Sequence, residues 1–125
     1  MSNLVVSNIS DGTTSVGTEY VVNGSAKVWC NLNYSTASIA DSHNISSITD
    51  NAVGRFSASF SNALANALYA SSGSSRFNLT DADISNRSVN YQPASGSVSI
   101  VSFRTDTGAL TDDQGVDSKF HGDLA

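Results

Sequence analysis

Short alternations of apolar and polar residues, broken at close intervals by Gly, Ser, Asn and Asp, run along most of this chain. A period of two is the signature of strands with one covered face. It is cleanest at residues 26–33, where Ala26, Val28, Cys30 and Leu32 share one phase and Lys27, Trp29, Asn31 and Asn33 the other. Trp29 is therefore out of phase with the apolar set: either the strand is buried on both sides, or the Trp face packs against a neighbouring subunit. Ile45 and Ile48 open a hairpin, Asp50-Asn51-Ala52-Val53-Gly54 forms its turn, and Phe56, Ala58 and Phe60 alternate on the return. Residues 97–104, with Val98, Ile100, Val101 and Phe103, form the longest β-like run. At the C-terminus Val116, Ser118 and Phe120 alternate with Asp117, Lys119 and His121.

The remaining segments are read from turn chemistry and propensity. Residues 4–9 form a first strand stopped by Ser10-Asp11-Gly12, and residues 13–18 are a polar linker. Residues 20–22 are a short extended piece before the turn dipeptide Asn23-Gly24. The Ala- and Leu-rich stretch after Ser61 predicts a helical turn at residues 63–66, then a strand through Tyr69. Residues 71–75 read as a Ser/Gly loop. Residues 76–80 and 88–91 read as strands around an Asp81-Ala82-Asp83 loop, and Pro93 falls in a connection. Residues 105–114 are acidic and polar and read as a surface loop. Many short strands with turns between them predict an all-β fold: a small single-domain β-sandwich or jelly-roll-like module. Its expected division is an attachment arm at residues 1–18 and a β-domain at 19–125. No heptad or internal repeat stands out.

Composition narrows this picture. At 125 residues the chain has room for one domain. Ser, Thr and Asn supply about a third of it, which suits exposed strand faces and a core completed by self-association. A homotrimer is expected. Net charge is −5 and the six Lys and Arg residues are scattered, so the clustered basic footprint of nucleic-acid binding is missing. No apolar run is long enough to span a bilayer. The N-terminus lacks the basic and apolar regions of a signal peptide, which leads to the expectation of a chain made and assembled in a cytoplasm.

Candidate chemistry is sparse. Cys30 is the sole cysteine; its phase predicts a buried, inert thiol. His43 and His121 are the two histidines and Glu19 the one glutamate. No nucleophile elbow or zinc motif accompanies them, so no catalytic residue and no cofactor is assigned. Asp81-Ala82-Asp83 and Asp112-Asp113 lack the spacing of a calcium loop and read as polar turns. The Asn-X-Ser/Thr triplets at Asn8, Asn33, Asn44, Asn78 and Asn86 follow from composition. Trp29, Tyr34, Tyr69 and Tyr91 are the aromatics to consider for stacking on sugar rings, against core and subunit packing.

Three stretches carry a family resemblance: Val22-Asn23-Gly24-Ser25-Ala26-Lys27-Val28-Trp29-Cys30-Asn31-Leu32-Asn33, Asn44-Ile45-Ser46-Ser47-Ile48-Thr49-Asp50-Asn51, and the closing Gly122-Asp123-Leu124-Ala125. Together they resemble a module of tailed-bacteriophage virion proteins of tail-fibre-like type. Cys30-Asn31-Leu32 departs from the family's Val-Asn-Phe, and His43 stands where an aromatic is usual. The resemblance implies a non-enzymatic structural protein on the phage particle surface, mediating host attachment. Its implied partners are copies of itself, other virion proteins of the tail or the major capsid protein, and a host-surface glycan, without membrane insertion. Because the motif begins so close to Met1, a capsid decoration (cement) protein docking as trimers is the alternative, and a carbohydrate-binding module the second. Leu4, Val5, Val6 and Ile9, with Trp29, are the residues expected to make assembly contacts.

Overall fold

A computed structural model describes residues 1–78 and 86–125. The chain is an all-β sandwich. After an N-terminal segment come β3 (Val28–Asn33), β4 (Ser38–His43), β5 (Ile45–Ala52), β6 (Arg55–Phe60), β7 (Ala70–Arg76), β8 (Arg87–Ala94), β9 (Ser97–Arg104) and β10 (Gly115–His121). They form two four-stranded antiparallel sheets, ordered β4-β3-β10-β7 and β5-β6-β9-β8.

The alternation explains the layers. Val28, Cys30 and Leu32 from β3 and Val116 and Phe120 from β10 point inward and are buried. They meet Phe56, Ala58 and Phe60 from β6 and Val98 and Ile100 from β9. Burying side chains of this size contributes about 1.5–3 kcal/mol each, enough to fix the register of the four central strands. A one-residue slip would turn Trp29 and Lys119 inward.

The 45–60 hairpin forms as the sequence indicates, with β5 running on through Ala52 so that the turn tightens to Val53-Gly54. Gly54 sits at φ +65, and a Cβ there would lie 2.6 Å from the Ser102 carbonyl oxygen. Asn44 makes the corner between the sheets at φ 59. Its side-chain Oδ1 accepts the Asn62 backbone N–H at 2.7 Å, and its Nδ2 donates to the Asn62 carbonyl at 3.0 Å. A short amide side chain both tolerates the left-handed backbone and supplies that clamp.

Five local expectations are corrected. Residues 71–75 are not a loop: they lie in β7, paired along its length with β10. Ser and Gly hid this strand from any hydrophobic count, yet small residues are what the position needs. A Cβ on Gly73 would collide with the Asp117 carbonyl oxygen and the Tyr91 hydroxyl. The 63–66 segment is not a helical turn. Its backbone is taken by distant partners: Leu64 N–H donates to the Ser95 carbonyl, Ala65 N–H to that of Asp123, and Ala125 N–H to that of Ala63. Tertiary pairing with the C-terminal tail overrides the local helix propensity, and no strand leads up to Tyr69, since β7 begins at Ala70. Pro93 is in β8, an edge strand, where a missing N–H is tolerated. Phe77 and Asn78, expected to be strand, lie beyond the end of β7, while Thr80 and the Asp81-Ala82-Asp83 loop lie outside the described residues.

The fifth correction concerns the N-terminal segment. Residues 13–18 are not a linker: β2 (Ser15–Gly17) returns against β1 (Asn8–Ser10). Asp11 makes the turn, its Oδ1 accepting the N–H groups of Thr13 at 2.9 Å and Thr14 at 2.7 Å. Those two bonds hold its carboxyl below the usual range. Residues 20–22 are helical, within α1 (Thr18–Gly24), with Asn23-Gly24 closing the helix rather than a hairpin. Leu4, Val5 and Val6 precede β1 outside any strand.

Candidate functional site

The outward faces of the two sheets differ in chemistry. On β5-β6-β9-β8 the register aligns hydroxyls across strands: Thr49, Ser57 and Ser99 in one row, Ser47, Ser59 and Ser97 in the next. On β4-β3-β10-β7 the rows are His43–Trp29–Lys119–Ser72 and Asp41–Asn31–Asp117–Ser74. The single Trp and a mixture of charges are thus gathered on one face. A groove of about 600 Å³ follows that face, lined by Trp29, Asn31, Ser72, Ser74, Asp117 and Lys119.

Trp29 is 37 % exposed, as its phase in β3 requires, and its indole stacks beside the His43 ring at 6.5 Å and 21°. Among the described residues Asn31, Ser72, Ser74 and Lys119 have no side-chain hydrogen bond within the protein, and the Trp29 indole N–H has none. Asp117 makes one long contact, receiving Arg76 Nη2 at 3.4 Å. Serines, aspartates and asparagines in the turns spend their hydrogen bonds locally, as Asp11, Asn33 and Asn66 do. Apart from the Asp117 Oδ2 that meets Arg76, these groove side chains have their bonding capacity unspent.

The other aromatics considered for sugar stacking are structural. Tyr34 is buried, stacks on Phe56 at 3.9 Å and donates to the Ile100 carbonyl at 3.3 Å. Tyr69 is buried beside Phe60 and Phe120 and bonds the Ala94 and Ser97 carbonyls. Tyr91 packs edge-on against Phe120, and its hydroxyl meets Ser118 Oγ at 3.0 Å. Burial raises the pKa of all three phenols.

Cys30 is buried one residue from the groove's Trp. Burial, with a smaller contribution from the Asp117 charge, pushes its thiol up to about 12, so at neutral pH no thiolate is available for nucleophilic chemistry. His43 belongs to the Trp29 face, and His121 ends β10 opposite Ala70. Among the described residues no group of three or more His, Cys, Asp or Glu side chains converges to hold a metal ion.

The 105–114 loop is not wholly a surface feature. Asp113 is fully buried, its Oδ2 accepting the Ser102 hydroxyl at 2.6 Å and its Oδ1 lying 3.7 Å from Arg87 Nε. Arg87 also donates to Thr111 Oγ1 at 3.1 Å and lies 5.0 Å above the Phe77 ring. Asp112 Oδ1 accepts the Gly54 N–H at 2.6 Å. Asp112 and Asp113 therefore fasten the loop to β8, β9 and the 45–60 hairpin. Nothing in the local sequence distinguishes these carboxylates from surface ones.

The expected assembly residues fall into two places. Leu4, Val5, Val6 and Ile9 are all exposed, as are Val16, Tyr20, Val21 and Val22. Among the described residues none of residues 1–24 belongs to the buried core. Trp29 lies on the sandwich, and the structure does not bring it together with the N-terminal apolar set.

The chain matches no protein-family model, no curated protein and no solved structure.

Proposed function

We propose that the chain is a non-enzymatic, tail-fibre-like virion protein, exposed on a phage particle and assembled as a homotrimer for host-surface attachment. The observation that supports this most is the split between a closed sandwich and an N-terminal segment whose apolar side chains are all uncovered. Exposed β-branched residues ahead of a domain with its own core can add to a partner's sheet edge or to a neighbouring copy through main-chain bonds. The outward Trp29 face then remains for the host.

The test is immunogold labelling of purified particles together with competition of particle adsorption by the soluble chain. Label at the tail tip and reduced adsorption are expected. Label over the head without competition would replace attachment by capsid decoration, and absence of label would overturn a virion role.

A further inference from the structure

We infer that the groove over β3, β10 and β7 is a saccharide-binding site for neutral pyranose sugars, with Trp29 as the stacking platform. This deepens the attachment reading by naming its ligand class. It rests on that reading only for the source of the sugar.

A pyranose presents an apolar C–H face and a rim of hydroxyls that each donate and accept. The first needs a flat aromatic surface that is open to solvent but held in orientation. Trp29 meets this: it is part-exposed on a central strand, anchored by β4 and β10 on either side, with the His43 ring stacked beside it. The second needs clustered donors and acceptors that the protein has not already used. Asn31, Lys119, Ser72 and the Oδ1 atom of Asp117, whose Oδ2 faces Arg76, provide both kinds along the groove beside the indole. Side-chain amides and carboxylates suit adjacent hydroxyl pairs because they offer two bonding atoms in one plane.

Charge decides between sugar classes. The cations Lys119 and Arg76 are matched by Asp117 and Asp41 on the same face, and the chain's net charge is −5. An anionic uronate or phosphorylated glycan would meet Asp117 without a dedicated Arg fork, since Arg76 is already turned to that carboxylate. A groove of about 600 Å³ is within the range of small-molecule sites. On the facing sheet the hydroxyl rows hold no aromatic; Phe103, in the outward phase of β9, lies two rows away beyond Val101, so the stacking half of the pair is not beside them.

Trp29 is the only tryptophan, so its fluorescence reports on this site alone. Purified full-length chain would be screened on an array of neutral, uronic-acid and phosphorylated oligosaccharides, then titrated with the neutral ligands bound. A saturable change in Trp emission is expected with at least one neutral oligosaccharide. Trp29→Ala should abolish the array signal, and Asp117→Asn should weaken binding at least tenfold, both with unchanged thermal melts. Asp117→Asn keeps the site testable if the Trp29 variant misfolds. No bound neutral sugar, binding confined to anionic glycans, or undiminished binding in Asp117→Asn would overturn the proposal. So would Trp emission that follows protein concentration while Trp29→Ala dissociates an oligomer, which would make the face a contact between copies. None of these measurements uses particles, so a failed sugar site and a failed virion role are told apart.

Discussion

Cys30 shows how one side chain's position in a strand fixes its chemistry. Its alternation with Val28 and Leu32 turns it inward, and burial favours the neutral thiol over the thiolate. The folded-state pKa, about 12, lies above the ordinary 9.0. The folded state thus binds the proton more tightly, and this stabilisation is complete below pH 9 and lost as pH rises toward 12. In urea unfolding, wild-type stability should fall more steeply over that interval than that of Cys30→Ala. A thiol reagent at pH 8 should label Cys30 only once the protein is unfolded; rapid labelling of the native protein would refute the assigned strand phase.

Asp113 makes the complementary case. It is a carboxylate buried beside a guanidinium that is itself mostly covered. Removing one member leaves the other as an uncompensated buried charge, which costs about 3–5 kcal/mol. Asp113→Asn retains an acceptor for the Ser102 hydroxyl but strands Arg87. It should lower the urea midpoint sharply, while Asp106→Asn should shift it little. Asp106 pairs with Arg104 on the surface, and that pair holds the Asp106 carboxyl down to about 2 without comparable burial. Equal effects of the two substitutions would show that Asp113 is not a staple.

Among the elements, β7 is defined by what its side chains lack. Serines give no hydrophobic signal, and Gly73 gives no side chain at all, yet the strand completes the sheet that carries the groove. Gly73→Ala forces a methyl group against the Asp117 backbone and the Tyr91 ring hydroxyl. Overpacking of this kind costs about 1–3 kcal/mol, and more where backbone rather than a flexible side chain must yield. Gly73→Ala should destabilise the fold, and Tyr91→Phe in the same chain should recover only part of the loss, because the carbonyl contact remains. Full recovery, measured by thermal melting, would place the whole clash on the tyrosine.

At the scale of the molecule, residues 1–24 and the sandwich meet through few bonds. Lys27 Nζ donates to the Val22 carbonyl and the Ser25 N–H to that of Val21, and among the described residues the segment's other bonds lie within itself, as do those of Thr18 to Val6 and Ser7. Since none of its side chains enters the core, deleting residues 1–24 should leave a folded β-domain with a melting temperature within a few degrees of the full chain. Circular dichroism and a thermal melt check this. A truncated chain that fails to fold would put the segment inside the cooperative unit.

The sequence by itself determined the inward and outward phases of β3, β6 and β10, the 45–60 hairpin, the buried thiol and the outward Trp29. Each follows from a period-two pattern within one segment, and burial of apolar surface makes such a pattern binding. Only the tertiary structure decided the rest. β7 exists because β10 offers it an edge, residues 63–66 are kept from a helix because Ser95 and the tail beyond Gly122 take their hydrogen bonds, and Asp113 is buried because Arg87 waits across the loop. The groove likewise joins Asn31, Ser72 and Asp117 across three strands distant in sequence. Interactions between segments leave no periodic trace in any one of them, so the outward phase of Trp29, Asn31, Asp117 and Lys119 was legible singly and their meeting with Ser72 and Ser74 of β7 was not.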